Sequence, residues 1–545
     1  MVSDKVSDKL FEVDFNAVVA VDFGTTCSGF AFSHRVKPDI QVNTNFPGQV
    51  VQKTNTVLQY DNTWQVEAWG YPALAKEPRR RRKVVEEKRP VELFKLYLAN
   101  IKKKPELPEG LDYKKTITDY LHQMQILIME TINRRWPKLS LSEIRFVFTI
   151  PAGWGDHTKE IMRECIFEAG YITEAAAIYC LNILKSHGLE IGDTFLVCDC
   201  GGGTVDLTMR TYVGEDELEE ETERTMGICG STYIDKEFIK FLENRVGPGA
   251  MREFKEKHYG QLQYMIQNFF NLRVKNNFKD DPAKFKLAEF DIEQYCPKLK
   301  QYVSEAIQKK LDENDWIIEL QYNDVKAMFD PIVDKILKLI QNQLNVNPDL
   351  RCSAIFVVGG FAESPYLISK IRKTFDGFVR TIAVPTNPIT SVMKGAVQYG
   401  LNKEAVKLRV LTEAYGIEVT NLFKKGIDPI KRKTADGHIL KFSRLAKRGD
   451  KAAPDYEFAS TFYPVYPDQT HISFKVYNTK DNNAHYCDDA KYIGSLRIDL
   501  PDPELGLNRP VEFGLRFAEE EIKATARNKT NNRVYPAEFK YVTAG

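Results

Sequence analysis

Two short segments combine a carboxylate with a turn of glycine and threonine: Asp22-Phe23-Gly24-Thr25-Thr26 and Asp199-Cys200-Gly201-Gly202-Gly203-Thr204-Val205-Asp206. Glycine lets backbone approach a ligand closely, while exposed N–H groups and threonine hydroxyls donate to phosphate oxygens. Carboxylates beside phosphates repel them unless a hard cation lies between. Asp22, Asp199 and Asp206 therefore point to Mg²⁺, with Asp22 and Asp199 facing the metal, in contact through water because Mg²⁺ sheds water reluctantly. Either turn alone is compatible with an ordinary hairpin; two of them, far apart in the chain, describe a phosphate clamp. A third segment, Val358-Gly359-Gly360-Phe361-Ala362-Glu363-Ser364-Pro365, ends an apolar run and enters a helix, where the backbone of Gly359 and Gly360 can contact a flat base and ribose.

Each turn needs strands to hold it. Asn16 to Phe23 and Ser28 to Ser33 read as one hairpin, and Thr194 to Asp199 with Val205 to Tyr212 as a second, which suggests an internal duplication. Ala354 to Val358 is the strand before the third turn. Ile117, Tyr120, Leu121, Met124, Ile128 and Ile132 keep helical spacing and precede the apolar strand Ile144 to Ile150, so helices and strands are layered in an α/β fold. Residues 233–344 read as a mainly helical insertion; after about Leu401 strands alternate with Gly, Pro, Asp and Asn turns. The expected division is a nucleotide-binding domain over 16–401, a linker over 402–412 and a β-rich domain over 413–545.

Composition excludes several function classes. With 545 residues and 43% hydrophobic content, the chain can bury more than one core. Lys and Arg number 76 against 75 Asp and Glu, so no overall field draws it to nucleic acid or an anionic membrane. No segment has the unbroken apolar length of a membrane span, and nine scattered cysteines fit a reduced, cytoplasmic setting. The eight histidines show no metal-ligand spacing, and no nucleophile elbow is present.

With these residues in hand, the sequence resembles the actin, sugar-kinase and heat-shock-seventy superfamily. Asp199 to Asp206 is most similar to the heat-shock form, and the segment from Val358 to Pro365 to its divergent twelfth subfamily. The resemblance spans Val18 to about Tyr541. It implies a two-lobed actin-like ATPase, built from duplicated RNase-H-like lobes and followed by a β-sandwich. It also implies ATP or ADP with Mg²⁺ as ligands and slow ATP hydrolysis by in-line attack of water. By the same resemblance Thr25 and Thr26 hold phosphates, Lys95 positions the attacking water, and Glu174 supports the metal and water network. Asp199 and Asp206 share that task, and Ile150-Pro151-Ala152 is a switch that responds to nucleotide. The plain alternative for Lys95 is a solvated helix lysine.

The adenosine end departs from the family. Lys275 matches a lysine that contacts ribose, but Leu272 replaces the usual glutamate upstream, Glu363 stands where an arginine stacks on adenine, and Ile389 stands where an aspartate is usual. Tyr415-Gly416-Ile417-Glu418-Val419 and Tyr492-Ile493-Gly494-Ser495-Leu496 are similar to strands of the family's peptide-binding sandwich, which implies extended or unfolded peptide as partner. A plain docking domain is the equal alternative. The resemblance, as far as Gly545, implies no helical lid, so bound peptide would leave quickly. Nucleotide-exchange co-chaperones are further expected partners, whereas co-chaperones recruited by an acidic terminal tail are not.

Other signals carry bland readings. Arg79-Arg80-Arg81-Arg82-Lys83, followed by Glu86 and Glu87, reads as a solvated basic face; the acidic stretch Glu215 to Glu223 as a solvent loop; and Arg448-Gly449-Asp450 as a strand turn. Three functions compete: a nucleotide-regulated chaperone-like ATPase, a scaffold that binds ATP with negligible hydrolysis, and a small-molecule kinase. The Gly-Gly-Gly-Thr-Val-Asp turn argues against the last.

Overall fold

A computed structural model describes residues 15–74, 89–99, 104–151, 154, 156–169, 190–214, 217–347, 350–401, 406–453, 455–517 and 522–539. The basic run Arg79 to Lys83, Ala152 and Glu174 lie outside them.

The fold is mixed α/β. Apolar, β-branched runs form the first hairpin, β1 (Ala17–Asp22) with β2 (Cys27–His34), and β3 (Ile144–Thr149) lies parallel on the other side of β1, with Asp22 opposite Thr149. A second sheet repeats this order. β4 (Thr194–Cys200) and β5 (Val205–Gly214) form a hairpin, β6 (Glu217–Glu220) extends it beyond β5, and β7 (Cys352–Val358) runs parallel to β4 with Val358 opposite Asp199. β8 (Thr381–Ala383) continues the sheet past β7. In both sheets a carboxylate stands at or one residue before the end of the strand that leads into a glycine turn.

Helices cover these sheets. α1 (Tyr113–Arg135) starts where the Asp112 carboxylate accepts from the N–H groups of Lys114 and Lys115, and it buries Ile117, Tyr120, Leu121, Met124, Ile128 and Ile132, the predicted stripe. α2 (Thr232–Val246) and α3 (Tyr322–Leu344) pack beside β4 and β7 in a large apolar core, where the Phe238 ring stacks on Phe270 at 4.2 Å. Residues 233–344 are mainly helical as expected, but Ala288–Asp291 and Ile317–Leu320 pair as antiparallel strands within them. Between the two sheets a third cluster joins Val18 and Ala20 to Val197, Phe356 and Val358.

Past residue 405 the chain is almost all β. Two four-stranded antiparallel sheets share one apolar core, in which Phe474 of one stacks on Phe513 of the other at 4.5 Å. Within the segment expected to be a linker, Val406–Val410 forms a strand, β9, which pairs parallel with β6 and antiparallel with Lys451–Ala452. The acidic stretch is likewise not a solvent loop over its described part: Glu217–Glu220 is β6, and Glu220 is 1% exposed. A run of like charges reads as solvated when its partners are unseen, and several of them here are distant in sequence, Val410, Arg448 and Lys451 among them. The Arg448-Gly449-Asp450 turn is as read, with Gly449 at φ +92°.

Candidate functional site

One cavity of about 400 Å³ brings the three glycine turns together: Asp22, Gly24, Thr25, Thr26, Lys95, Asp199, Gly201, Gly202, Gly203, Thr204, Asp206, Lys275, Gly359 and Gly360 all line it. The turns touch. A Cβ on Gly202 would sit 2.0 Å from Thr26 Oγ1, so only glycine lets the second turn close against the first. Gly359, at φ +84°, presses on the strand end that leads into the second turn, since a Cβ there would lie 2.3 Å from Asp199 Oδ1.

Hydrogen bonds fix which way the second turn faces. The carbonyls of Gly201, Gly202 and Gly203 accept from the N–H groups of Ser231, Thr232 and Gly230 at 3.1, 3.0 and 3.2 Å, on the side where α2 begins. In a trans peptide the N–H points opposite its carbonyl, so the amides of Gly202, Gly203 and Thr204 are directed to the cavity side, an arrangement suited to an anion. The first turn is braced by Thr56, whose hydroxyl donates to the Gly24 carbonyl at 2.8 Å, and by Ser28, whose oxygen accepts from Gly24 N at 3.1 Å.

The charges around the turns are buried and interlocked. Asp22 accepts from Lys53 Nζ at 2.5 Å and from the Thr149 hydroxyl at 2.9 Å. Burial alone would raise its pKa, but Lys53, helped by Lys95 and Thr149, holds the carboxyl below the usual range. Asp199 goes the other way: burial, with the charges of Asp206 and Asp22, pushes it up to about 7. Lys95 lies on a short 3-10 helix, Phe94–Leu98, where its Nζ donates to the Phe23 carbonyl and sits 5.2 Å from the rings of both Phe23 and Trp154. It is 6% exposed and therefore not the solvated lysine of the plain alternative; burial pushes it down to about 8 against the pull of Asp22 and Asp206. Thr204 donates to Asp206 Oδ2 at 3.1 Å.

A crowd of carboxylates in which burial and like charge raise one member suits a cation, because a cation removes that repulsion. Among the described residues no group of three or more His, Cys, Asp or Glu forms a ready cage. That donor set fits Mg²⁺, which takes one or two carboxylates, waters and ligand phosphates instead of an all-protein shell.

The cavity is also lined by Gln267, Asn271, Leu272, Lys275 and Asn276, from the π-helical stretch Ile266–Val274 and the turn after it, and by Glu363 and Ile389, the latter packed near Gly360. Lys275 Nζ donates to Asp235 Oδ1 of α2 at 2.5 Å, both side chains buried. Leu272 is 60% exposed although it lines the cavity.

Sequence reasoning missed Lys53, Thr149, Asp235, Arg210 and Arg224. Lys53 and Asp235 carry no local signal, since their partners are distant in sequence. Arg210 did: Asp206, Thr208 and Arg210 alternate along β5, so a period of two puts all three on the face that lines the cavity.

No family model matches the sequence. The chain is similar to the human heat shock 70 kDa protein 12A, with 26% identity over 96% of this chain and 91% of that protein, and to its mouse counterpart, with 26% over 97% and 92%. The human heat shock 70 kDa protein 12B is 23% identical over 98% of this chain and 92% of its own length. The chain resembles the heat-shock-seventy proteins over nearly its whole length. The alignments run through both the cavity-bearing part and the β-rich part of this heat-shock-seventy-like chain. Among its described residues no helix is long and apolar enough to cross a membrane.

Proposed function

We propose that this heat-shock-seventy-like protein binds ATP and ADP with Mg²⁺ in the cavity, hydrolyses ATP slowly, and uses nucleotide to regulate peptide binding by its β-rich part. On this reading the two sheets that share the order β3-β1-β2 and β7-β4-β5 are the duplicated lobes of an actin-like ATPase spanning 16–401. The paired four-stranded sheets are a substrate-binding-like sandwich within 413–545.

The observation that carries the reading is the contact between Gly202 and Thr26, which closes two phosphate-type turns on one cavity beside buried Asp22, Asp199 and Asp206. In that role the inward amides of Gly202, Gly203 and Thr204, with the Thr25 and Thr26 hydroxyls, hold phosphate oxygens. Asp22 and Asp199 hold the metal through water. Lys95 and Asp206 orient a water for attack, while Gly359 and Gly360 let the base and ribose approach backbone. Mg²⁺, when bound, neutralises the developing phosphate charge. Glu174 keeps its proposed place from the family resemblance alone.

The test is calorimetric titration of the purified protein with ADP and ATP in Mg²⁺, with Asp199→Ala and Thr204→Ala in parallel. Saturable binding that each substitution weakens by about 100-fold supports the clamp. No binding by the unsubstituted protein overturns it.

A second reading, an ATP-liganded scaffold with negligible hydrolysis, is favoured by the base end. Lys275 is committed to Asp235, and Leu272 and Glu363 stand where the family has charged contacts. Single-turnover hydrolysis separates the two readings.

A further inference from the structure

One end of the β-rich part carries a loop that is firmly built yet turns apolar side chains outward. It joins the antiparallel strands Ala414–Leu422 and His438–Ala446. The Asp428 carboxylate folds it back by accepting from Lys424 N at 2.8 Å and pairing with Lys441 Nζ at 2.7 Å. Arg432 lies 3.9 Å from the centre of the Tyr486 ring and 3.1 Å from Asp488, while Lys433 Nζ sits 5.4 Å from the centre of the Phe423 ring, so the two ends of the loop meet. Asp436 is engaged by the Thr434 and Tyr466 hydroxyls. Despite this bracing, Leu422, Ile427 and Ile430 are 71%, 74% and 79% exposed. An ordered loop that displays large apolar groups is suited to docking, because little freedom is lost when a partner covers it. Lys424, Lys425, Lys431 and Lys433 stand exposed along the same loop, and among the described residues none of the four forms an ion pair.

We propose that this loop docks an extended peptide segment in which apolar side chains are flanked by acidic ones. The proposal rests on the reading of the β-rich part as a peptide binder and names the class of peptide. The four lysines supply the charge complementarity, and Leu422, Ile427 and Ile430 the apolar area. A second copy of the loop would set lysine against lysine. A broad anionic plane, such as a lipid surface, fits less well because of what stands beside the loop. The register of Ile417 with Val476 and of His471 with Asp499 puts the connections 463–470 and 500–510 at the same end of the sheets. The Tyr466 hydroxyl reaches Asp436 at 2.5 Å, and Arg509 donates to the carbonyls of Pro467 and Gly506 at 2.6 and 2.9 Å, so the three connections lie side by side. The two neighbours carry Asp468 and Glu504, both exposed. A plane of negative charge meets these acids along with the lysines, whereas a narrow segment can touch the lysines alone.

The experiment titrates the full chain into fluorescently labelled peptides and reads anisotropy. The probes share one core of alternating Leu and Val, flanked on both sides by Glu, by Ser or by Lys. The Glu-flanked peptide is expected to bind about tenfold tighter than the Ser-flanked one, and the Lys-flanked peptide weaker than both. The difference closes at about 1 M salt, where charges are screened beyond about 3 Å. Two variants alter exposed side chains only, so the fold is not at risk. Lys424→Glu with Lys431→Glu leaves the four positions without net charge and brings the three affinities within about twofold of one another. Ile427→Ser with Ile430→Ser weakens all three peptides by about tenfold.

Equal affinity for the three flanks, or an acidic preference that survives Lys424→Glu with Lys431→Glu, overturns the proposal and leaves peptide binding by the β-rich part standing. Binding of none of the three overturns both. Vesicles of phosphatidylserine in phosphatidylcholine that sediment the unsubstituted protein, but not the Ile427→Ser, Ile430→Ser variant, would overturn it by giving the loop to a lipid surface.

Discussion

Lys53 and Asp22 are 31 residues apart in sequence and 2.5 Å apart in space, both buried, so the carboxylate at the first glycine turn is charge-balanced by the protein itself. Lys53 shares the pocket wall with Lys95, and the two cations set the field in which Asp22, Asp199 and Asp206 work. Removing one partner of a buried pair leaves the other uncompensated. Lys53→Met is expected to cost about 3–5 kcal/mol, read by denaturant unfolding. A loss within about 0.5 kcal/mol would mean that water already solvates Asp22.

Lys95 is held by the Phe23 carbonyl and two aromatic rings, while Thr56 and Ser28 brace the first turn at Gly24 independently of it. Lys95→Met should therefore leave ATP affinity within a few fold while lowering single-turnover hydrolysis by about 100-fold. Equal losses in both would make it a binding residue only.

Gly359 has no room for a methyl group, and its φ of +84° disfavours one in any case. Gly359→Ala should displace the Asp199 carboxylate and abolish measurable nucleotide binding, with about 1–3 kcal/mol of lost stability. Retained affinity in a titration would show that Asp199 is dispensable for the ligand.

Burial would raise the Glu220 pKa, but Arg224, Arg210 and the Val410 N–H hold it down at about 2, against an ordinary 4.5. A carboxyl whose folded pKa is depressed adds stability that is fully present above the unfolded pKa and lost as pH falls through the folded one. The stability gap between the unsubstituted protein and Glu220→Gln should be widest above about pH 5, on the order of 3 kcal/mol, and close between pH 4.5 and about 2. Unfolding midpoints across that range measure it, and a constant gap would assign the effect to shape and not to charge.

Arg509 is fully buried and donates to five backbone carbonyls, those of Gly506, Gln469, Leu500, Pro501 and Pro467. A lysine offers three donors from one atom and cannot span that set. Arg509→Lys is expected to destabilise the β-rich part by about 2–4 kcal/mol in a thermal melt, leaving nucleotide binding unaltered.

What the sequence made legible was local. The glycine turns, their flanking hairpins and the helix carrying Ile117 to Ile132 follow from patterns within a few residues, and the cavity assembles from those turns. What it hid was tertiary pairing. Lys53 sits in an irregular segment whose only mark is its partner Asp22. The acids at 220–223 look solvated until Arg210, Arg448 and Lys451 fold onto them, two of these from more than 200 residues downstream. The resemblance matches Lys275 to a ribose contact, whereas its partner in the structure is Asp235, which no periodicity marks. Glu174 lies outside the described residues.

The sheet that begins at β8 does not stop at β6 but continues through β9 to Lys451–Ala452. Lifting β9 would turn β6 into an open edge, and open edges invite pairing with strands of other molecules. β6 reads Glu217-Leu218-Glu219-Glu220, three acids in four residues. Such an edge would repel a second copy of itself, so β9 covers a strand whose own sequence already disfavours self-association.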